Sequence, residues 1–205
     1  MPATANDLSP FGSNAPGPRM AAVLRLTRAA GAGWVHKRAA FLLRSWAVKA
    51  LGGRPLDVQA LGVWMRLYPH NNVCEKRILF TPQYFDPQER AFLKSRIRDD
   101  FVFLDIGASI GGYALFVAAQ AGPGARILAV EPQREVYERL VYNIRQNPFA
   151  TIKAMDCAVA DRNGEITLFV HGDNRGESSI RIVPNDTSAA RVTVPAKSLS
   201  QIVRD

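Results

Sequence analysis

At 205 residues and 47% apolar content, the chain can bury one ordinary core and a small appendage, which excludes two large domains. Its formal net charge of +8 is concentrated near the N-terminus: residues 1–54 hold eight Lys and Arg against one acid, and residues 55–205 hold eighteen against seventeen. The near-neutral remainder argues against a nucleic-acid groove across the whole protein, so no nucleic-acid partner is expected.

The cysteines and histidines carry no recognisable site. Cys74 and Cys157 form no C-x-x-C pair, and the histidines His36, His70 and His171 are scattered. The sequence therefore predicts neither a disulfide framework nor a metal site. It also contains no run of eighteen apolar residues and no apolar secretory core near its start, so we expect a cytoplasmic protein.

The N-terminal third divides into two segments. Residues 1–18 contain four prolines and few apolar residues, which predicts a disordered lead-in. Residues 19–53 form a basic helical extension, in which Gly31 and Gly33 are expected to separate two helices. A basic amphipathic helix can lie on a membrane surface, but packing against the domain or against a second subunit is the favoured interpretation.

Residues 54–100 are expected to cap the edge of a following sheet. Within them, residues 62–85 alternate apolar and polar residues in short stretches, which predicts one or two strands. Asp86 and Pro87 then indicate the N-cap and the first position of a helix near 87–98.

Residues 101–132 predict a strand, a glycine loop, a helix and a second strand. Phe101 to Asp105 is a short apolar run that ends in an acid, and a glycine-rich stretch follows it at once up to Gly112. An apolar helical run to Ala121 and a second buried strand to Val130 come next. Glycines at such a turn let a ligand approach bare backbone. This order is typical of a nucleotide-binding Rossmann-like fold.

Two acids distinguish among the possible cofactors. Glu131 follows the second strand, where a carboxylate can accept hydrogen bonds from ribose hydroxyls. Ser109 stands where a dinucleotide fingerprint needs its second glycine, and Asp105 would repel a pyrophosphate while favouring an ammonium group. These features predict S-adenosylmethionine as the cofactor. A nicotinamide-dependent oxidoreductase is the rival that Ser109 disfavours.

The remaining segments predict a continuation of the sheet. Glu135 to Asn147 is an amphipathic helix ended by Pro148, and residues 152–155 form a third strand. An antiparallel insertion is expected after it, with three alternating segments at 165–170, 178–183 and 191–194. The tip of this insertion carries three charged residues, expected to be solvated: Asp173, Arg175 and Glu177.

The central motifs closely resemble the FkbM family of methyltransferases from about Met65 onward. The blocks that carry the resemblance are the loop from Asp105 to Tyr113, residues 130–132, Leu140, Asn143, Asn147, residues 157–161 and Gly164. The resemblance implies a class I methyltransferase with S-adenosylmethionine as methyl donor. It further implies O-methylation of a hydroxyl on a sugar or natural-product acceptor, so a small-molecule or saccharide partner is expected.

The resemblance also implies the cofactor-binding residues. Asp105, Gly107 and Gly111 would line the methionine end, Glu131 would hold the ribose, and Asp156 to Ala158 would border the adenine. The full implied set is Asp105, Gly107, Ala108, Ser109, Gly111, Tyr113, Glu131, Pro132, Asp156, Cys157 and Ala158. Two positions depart from the family pattern, since Ser109 more often is Asn and Ser200 tends to be Asp.

Residues 101–205 are expected to form a partial doubly wound sheet. FkbM-like proteins continue into a further strand followed by a Lys-x-Asp-x-Glu-Gly block, which this sequence lacks. No catalytic base can therefore be identified from the sequence. The alternative to a methyltransferase is a non-catalytic or fragmentary module of the same fold that needs further chain or a partner.

Overall fold

The computed structural model describes residues 6–70, 72–170 and 190–204. The chain divides into two compact units, Met1–Ser95 and Arg96–Asp205.

The first unit begins with two helices, α1 (Pro18–Arg28) and α2 (Trp34–Leu51). They are separated by the glycine-containing segment, as the sequence predicts. The two helices pack together through a small apolar interface. The apolar residues that the two helices bury are Val23, Leu24, Ala40, Ala47 and Leu51. Gly52 ends α2 in the left-handed conformation with φ 57°, which glycine adopts without steric cost.

A β-hairpin follows the helices. Strands β1 (Leu56–Ala60) and β2 (Val63–Leu67) pair antiparallel, and Leu61 and Gly62 connect them with φ values of 54° and 86°. Two successive positive φ values are the signature of a tight hairpin turn whose twist matches that of the strands. The alternation in this region therefore comes from a real hairpin that begins earlier than residue 62.

Helix α3 (Val73–Phe80) occupies a stretch for which the sequence analysis predicted strand. The prediction is wrong there because a local cap outweighs the alternation. The Asn72 side chain accepts the backbone N–H of Glu75 at 3.1 Å, which starts the helix. The Glu75 side chain accepts the backbone N–H of Tyr68, so it is satisfied although fully buried. A 3₁₀ turn over Pro82–Tyr84 and helix α4 (Pro87–Arg96) complete the unit, the latter as predicted.

Residues 6–17 lie against the hairpin, which differs from the predicted disordered lead-in. Asp57 and Arg66 are each 1% exposed, and their side chains form an ion pair at 2.6 Å. Arg66 also donates to the backbone carbonyls of Asp7, Ser9 and Pro10 at 2.8–3.0 Å. Buried charges need such partners, and a proline-rich segment with free carbonyls supplies them without secondary structure.

The second unit contains a three-stranded parallel sheet with strand order β3-β4-β5. Its strands alternate with helices along the chain. The elements are β3 (Val102–Ile106), α5 (Gly112–Ala118), β4 (Arg126–Val130), α6 (Arg134–Arg145) and β5 (Ile152–Met155). This confirms the predicted α/β, Rossmann-like class.

A second sheet has the order β6-β8-β7, with β6 (Ala158–Ala160), β7 (Gly164–Val170) and β8 (Ala190–Ser198). Strand β7 is antiparallel to β8, as predicted, but β6 is parallel to it, so the insertion is mixed. The short strand β6 was not predicted, because three residues are too few to show an alternation of apolar and polar side chains. The predicted strand 178–183 and the residues Asp173, Arg175 and Glu177 lie outside the described residues.

The C-terminal helix α7 (Leu199–Arg204) contributes Ile202 to the core of the second unit. Ile202 packs in one cluster with Val130, Met155 and Cys157. Val130 and Met155 are the last residues of β4 and β5, so this cluster lies at the carboxyl ends of those strands.

Candidate functional site

Three acids lie at or just beyond the carboxyl ends of the parallel strands. Asp105 is in β3, Glu131 directly follows β4, and Asp156 directly follows β5. The pairing register places Asp105 beside Ala129, and the Glu131 backbone N–H donates to the Met155 carbonyl at 3.0 Å. Ligands of open α/β sheets bind at this edge.

The glycine loop after β3 is anchored to β4 by its own backbone. The N–H groups of Gly107 and Ala108 both donate to the Val130 carbonyl, at 2.8 and 3.0 Å. Positive φ values of 76° at Gly107, 49° at Ser109 and 92° at Gly111 turn the chain sharply into α5. Only glycine adopts such a conformation freely, so Ser109 is held there by its surroundings.

Glu131 connects the loop to the segment that follows β4. Its carboxylate accepts the backbone N–H of Ser109 and that of Gln133, both at 2.9 Å. The residue is only 4% exposed. Burial raises the pKa of Glu131, and the negative charges of Asp105 and Asp156 raise it further, while the two N–H donors oppose the shift.

Asp105 accepts the backbone N–H of Ala114 at 3.0 Å, in the first turn of α5. Burial raises the pKa of Asp105 to about 6, and the hydrogen bond from Ala114 acts in the opposite direction. A carboxyl with a pKa near 6 changes its charge close to neutral pH. A cation bound beside it would stabilise the ionised form.

Two features of the loop leave room and bonding capacity for a ligand. A Cβ placed on Gly107 would meet nothing within 4 Å. The Ser109 hydroxyl is buried without a hydrogen-bond partner in the described part of the chain. Leaving a buried polar group unpaired costs about 1–3 kcal/mol, so this hydroxyl is available to a bound molecule.

Gly111 has a different role, which is packing. A Cβ on Gly111 would lie 2.9 Å from the Leu140 side chain and 3.1 Å from that of Leu115. The loop therefore rests closely on helices α5 and α6 at this point. Together, the open position at Gly107 and the packed position at Gly111 show that the loop glycines have separate functions.

The remaining predicted site residues are placed as follows. Asp156 accepts a hydrogen bond from Arg134 at 2.8 Å, so its charge is already paired. The side chains of Cys157 and Ala158 are packed in the core, with 1% and 4% exposure, so their backbone is what they can offer a ligand. Tyr113 and Pro132 are partly exposed, beside the loop and after Glu131.

Asn143, for which the sequence predicts no site role, supports the glycine loop. Its side chain is fully buried and donates to the Ile110 carbonyl at 3.1 Å. This hydrogen bond attaches the glycine loop to helix α6. The available signal was a polar residue on the apolar face of α6, three residues after Leu140. Arg134 was also missed, and its pairing with Asp156 depends on a contact between α6 and the end of β5.

Residues 6–70, 72–170 and 190–204 contain no group of three or more His, Cys, Asp or Glu side chains that could hold a metal ion. None of the helices described is both long and apolar enough to cross a membrane.

Several solved structures are similar to this chain over part of its length. The putative transferase PH0793 from Pyrococcus horikoshii is 18% identical, with 60% of this chain and 49% of that chain covered and a TM-score of 0.41. TYW2 from M. jannaschii, solved in complex with AdoMet, is 19% identical, with 50% and 42% covered and a TM-score of 0.39. Trm5b from Pyrococcus abyssi is 15% identical, with 69% and 55% covered and a TM-score of 0.39. The chain spans about half the length of these structures.

No curated protein matches the chain. A family model, described as the Vibrio cholerae RfbT protein, matches residues 64–202, which include most of strand β2, the glycine loop and all three strand-end acids. The match is to this family and not to FkbM, so the finer resemblance stays a prediction. On a match that covers more than half of its residues, the chain belongs to the RfbT protein family.

Proposed function

We propose that the protein is an S-adenosylmethionine-dependent methyltransferase whose cofactor binds at the glycine loop, beside Asp105 and Glu131. The acceptor we propose is a hydroxyl on a sugar or another small molecule. The alternative is a module of the same fold that binds the cofactor without transferring a methyl group.

The observation that carries the proposal is that the first three residues of the loop have already used their backbone donors. The N–H groups of Gly107 and Ala108 bond to the Val130 carbonyl, and that of Ser109 bonds to Glu131. A pyrophosphate-binding loop needs such N–H groups free to face the phosphate oxygens. This loop therefore favours a ligand without phosphate over a dinucleotide.

The charges around the loop also favour S-adenosylmethionine over a dinucleotide. Burial raises the pKa values of Asp105 and Glu131. A neighbouring positive charge would therefore stabilise the ionised form of each carboxylate. S-adenosylmethionine carries an ammonium and a sulfonium, and its ribose offers two hydroxyl donors. A nicotinamide dinucleotide would instead bring phosphate charges next to two carboxylates.

Each end of the cofactor has matching residues. Glu131 would accept the ribose hydroxyls, since each of its oxygens accepts one backbone N–H and a carboxylate oxygen can accept more than one hydrogen bond. Asp105 and the open face of Gly107 would hold the amino-acid end, and the Ser109 hydroxyl would gain a partner. The backbone of Cys157 and Ala158 would border the adenine.

When bound, S-adenosylmethionine supplies an electrophilic methyl group, and the protein has to hold the acceptor oxygen in line with it. Positioning of this kind is worth several kcal/mol of activation free energy. A hydroxyl acceptor also needs a group to take its proton.

Calorimetric titration of the full chain tests the cofactor assignment. S-adenosylhomocysteine should bind, and Glu131→Gln should weaken binding by about fivefold to a hundredfold, as expected for the loss of charge-assisted hydrogen bonds. Glu138→Gln is the matched control, because Glu138 is an exposed carboxylate that pairs with Arg134. NADH that binds more tightly than S-adenosylhomocysteine would contradict the proposal.

The acceptor class is tested by measuring conversion of S-adenosylmethionine to S-adenosylhomocysteine with a panel of hydroxylated sugars. Turnover above the acceptor-free rate supports O-methylation. Cofactor binding without turnover on any member of the panel favours the non-catalytic alternative.

A further inference from the structure

Helix α2 has an apolar face that no described residue covers. Four residues spaced by four, three and four positions form this face, which we call the outer stripe: Val35, Ala39, Leu42 and Trp46. Such spacing places side chains on one side of a helix. Val35, Leu42 and Trp46 are 67%, 72% and 57% exposed.

The opposite side of α2 does the packing within the first unit. Ala40, Ala47 and Leu51 are buried at 0–5% exposure, and their spacing of seven and four again defines one face. The helix is therefore apolar on both sides. The face that carries Ala40, Ala47 and Leu51, which we call the inner face, is sufficient for its packing within the first unit. The outer stripe needs another explanation.

Positive charge borders the outer stripe. Arg38 and Lys49 are exposed and lie along one edge of it by helical periodicity. Neither α1 nor α2 contains an acidic residue. A groove beside the C-terminal half of α2 is lined by Trp46 together with Arg19 and Arg54, and none of its lining residues is acidic.

The two tryptophans of α2 stand near the two ends of the apolar face. Trp34 is 69% exposed at the first position of the helix, with the Arg38 guanidinium 5.0 Å from its ring centre. Tryptophan favours the boundary between lipid headgroups and acyl chains, where its ring is partly buried and its N–H remains hydrated. Arginine and lysine beside it reach anionic headgroups.

We infer that the outer stripe of α2 docks on an anionic lipid surface, with Trp34 and Trp46 at the headgroup level and Arg38 and Lys49 against the lipid phosphates. Charge complementarity selects this occupant. A second copy of the chain would bring the same acid-free surface against itself and set cation against cation. The helix would lie along the surface.

This inference is independent of the proposed function, because it uses only residues of the first unit. It differs from the favoured sequence interpretation, in which the basic helices pack on the domain or on a second subunit. The reason is that packing is satisfied by the inner face, which leaves the tryptophan-bearing face exposed.

Fluorescence quenching by brominated lipid tests the inference on the full chain, which contains three tryptophans. The double variant Trp34→Phe/Trp64→Phe retains Trp46, and its emission should be quenched by vesicles of equimolar brominated phosphatidylcholine and phosphatidylglycerol. Trp34→Phe/Trp46→Phe is the matched control that retains Trp64, on strand β2 and 46% exposed. Its emission should be unaffected. Equal quenching of both variants, or of neither, would overturn the inference.

Vesicle sedimentation tests the residues of the surface. The chain should bind the equimolar vesicles and not phosphatidylcholine alone, and Arg38→Glu/Lys49→Glu should weaken binding by about tenfold or more. Lys94→Glu/Arg98→Glu makes the same charge change at exposed positions outside α2 and should have little effect. Leu42→Ser should also weaken binding, whereas Phe92→Ser, which removes an apolar side chain 60% exposed on α4, should not.

Light scattering of the Leu42→Ser variant decides between lipid and a second copy. An unchanged molar mass with reduced vesicle binding supports the inference. A reduced molar mass with unchanged vesicle binding would overturn it and make the outer stripe a dimer interface.

Discussion

The backbone N–H of Ser109 donates to the Glu131 carboxylate at 2.9 Å, which joins the glycine loop to the end of the second parallel strand. Residues 22 positions apart in sequence thereby form one element of the site. The bond also explains how Ser109 keeps a φ of 49°, since its amide is fixed by a buried acceptor.

Substitutions at Ser109 should separate stability from cofactor affinity. Ser109→Gly relieves the positive φ and removes an unpaired buried hydroxyl, so it should raise the free energy of unfolding by about 1 kcal/mol. Ser109→Ala removes only the hydroxyl and keeps the positive φ, so it should raise the free energy of unfolding by a smaller amount. Both variants should bind S-adenosylhomocysteine several-fold more weakly. Urea denaturation and calorimetry measure the two effects, and unchanged affinity in Ser109→Ala would show that the hydroxyl does not contact the ligand.

Two loop glycines should respond differently to the same added methyl group. Gly111→Ala combines a φ of 92° with a contact of 2.9 Å to Leu140, so it should cost about 2–4 kcal/mol of stability. Gly107→Ala meets no atom within 4 Å and should cost only about 1 kcal/mol for its φ of 76°. Gly107→Ala should nevertheless reduce ligand affinity, because the methyl group fills the open position. Equal destabilisation of the two variants in urea would contradict this division of roles.

The raised pKa of Asp105 should make stability depend on pH. An acid whose pKa is about 6 in the folded state and 3.8 as a free group binds more protons when folded, so its effect on stability becomes less favourable as the pH rises from 4 to 6. Asp105→Asn should therefore be more stable than the parent at pH 8, by up to about 3 kcal/mol, and similar to it at pH 4. Thermal unfolding at the two pH values measures this. A difference that is larger at pH 4 would contradict the sign.

The same group should make binding of S-adenosylhomocysteine weaken in acid. Because a ligand ammonium favours ionised Asp105, affinity should fall by about tenfold between pH 7 and pH 5. Asp105→Asn should bind weakly at both pH values and lose most of the dependence, with Glu131 responsible for what remains. Calorimetry at matched ionic strength separates these cases.

The buried pair of Arg66 and Asp57 should hold residues 6–17 in place. Arg66→Met leaves the Asp57 carboxylate buried without its counter-charge and should cost about 3–5 kcal/mol. The double variant Asp57→Asn/Arg66→Met should recover part of that loss. Limited proteolysis should cut within residues 6–17 faster in Arg66→Met than in the parent. Identical cleavage rates would show that the pair does not anchor the segment.

The elements around the site could be predicted because their signals are local. An apolar run that ends in Asp105, a glycine stretch and a second apolar run that ends before Glu131 define strand, turn and strand within thirty-two residues. The helix at residues 73–80 could not be identified by alternation, because its cap is a hydrogen bond from the Glu75 backbone N–H to the Asn72 side chain. Strand β6 is too short to carry a pattern and exists through its pairing with β8.

The sequence by itself determined the α/β class, the position of the glycine loop and the two acids beside it, because periodicity and turn chemistry act over a few neighbouring residues. Only the tertiary structure decided that the amides of residues 107–109 donate to Val130 and Glu131. It also decided that Asn143 donates to the Ile110 carbonyl. The ion pair of Asp57 and Arg66, which holds the N-terminal segment, likewise depends on tertiary packing. These contacts join residues from different elements, and whether a donor is free or used depends on the distance and burial that packing sets.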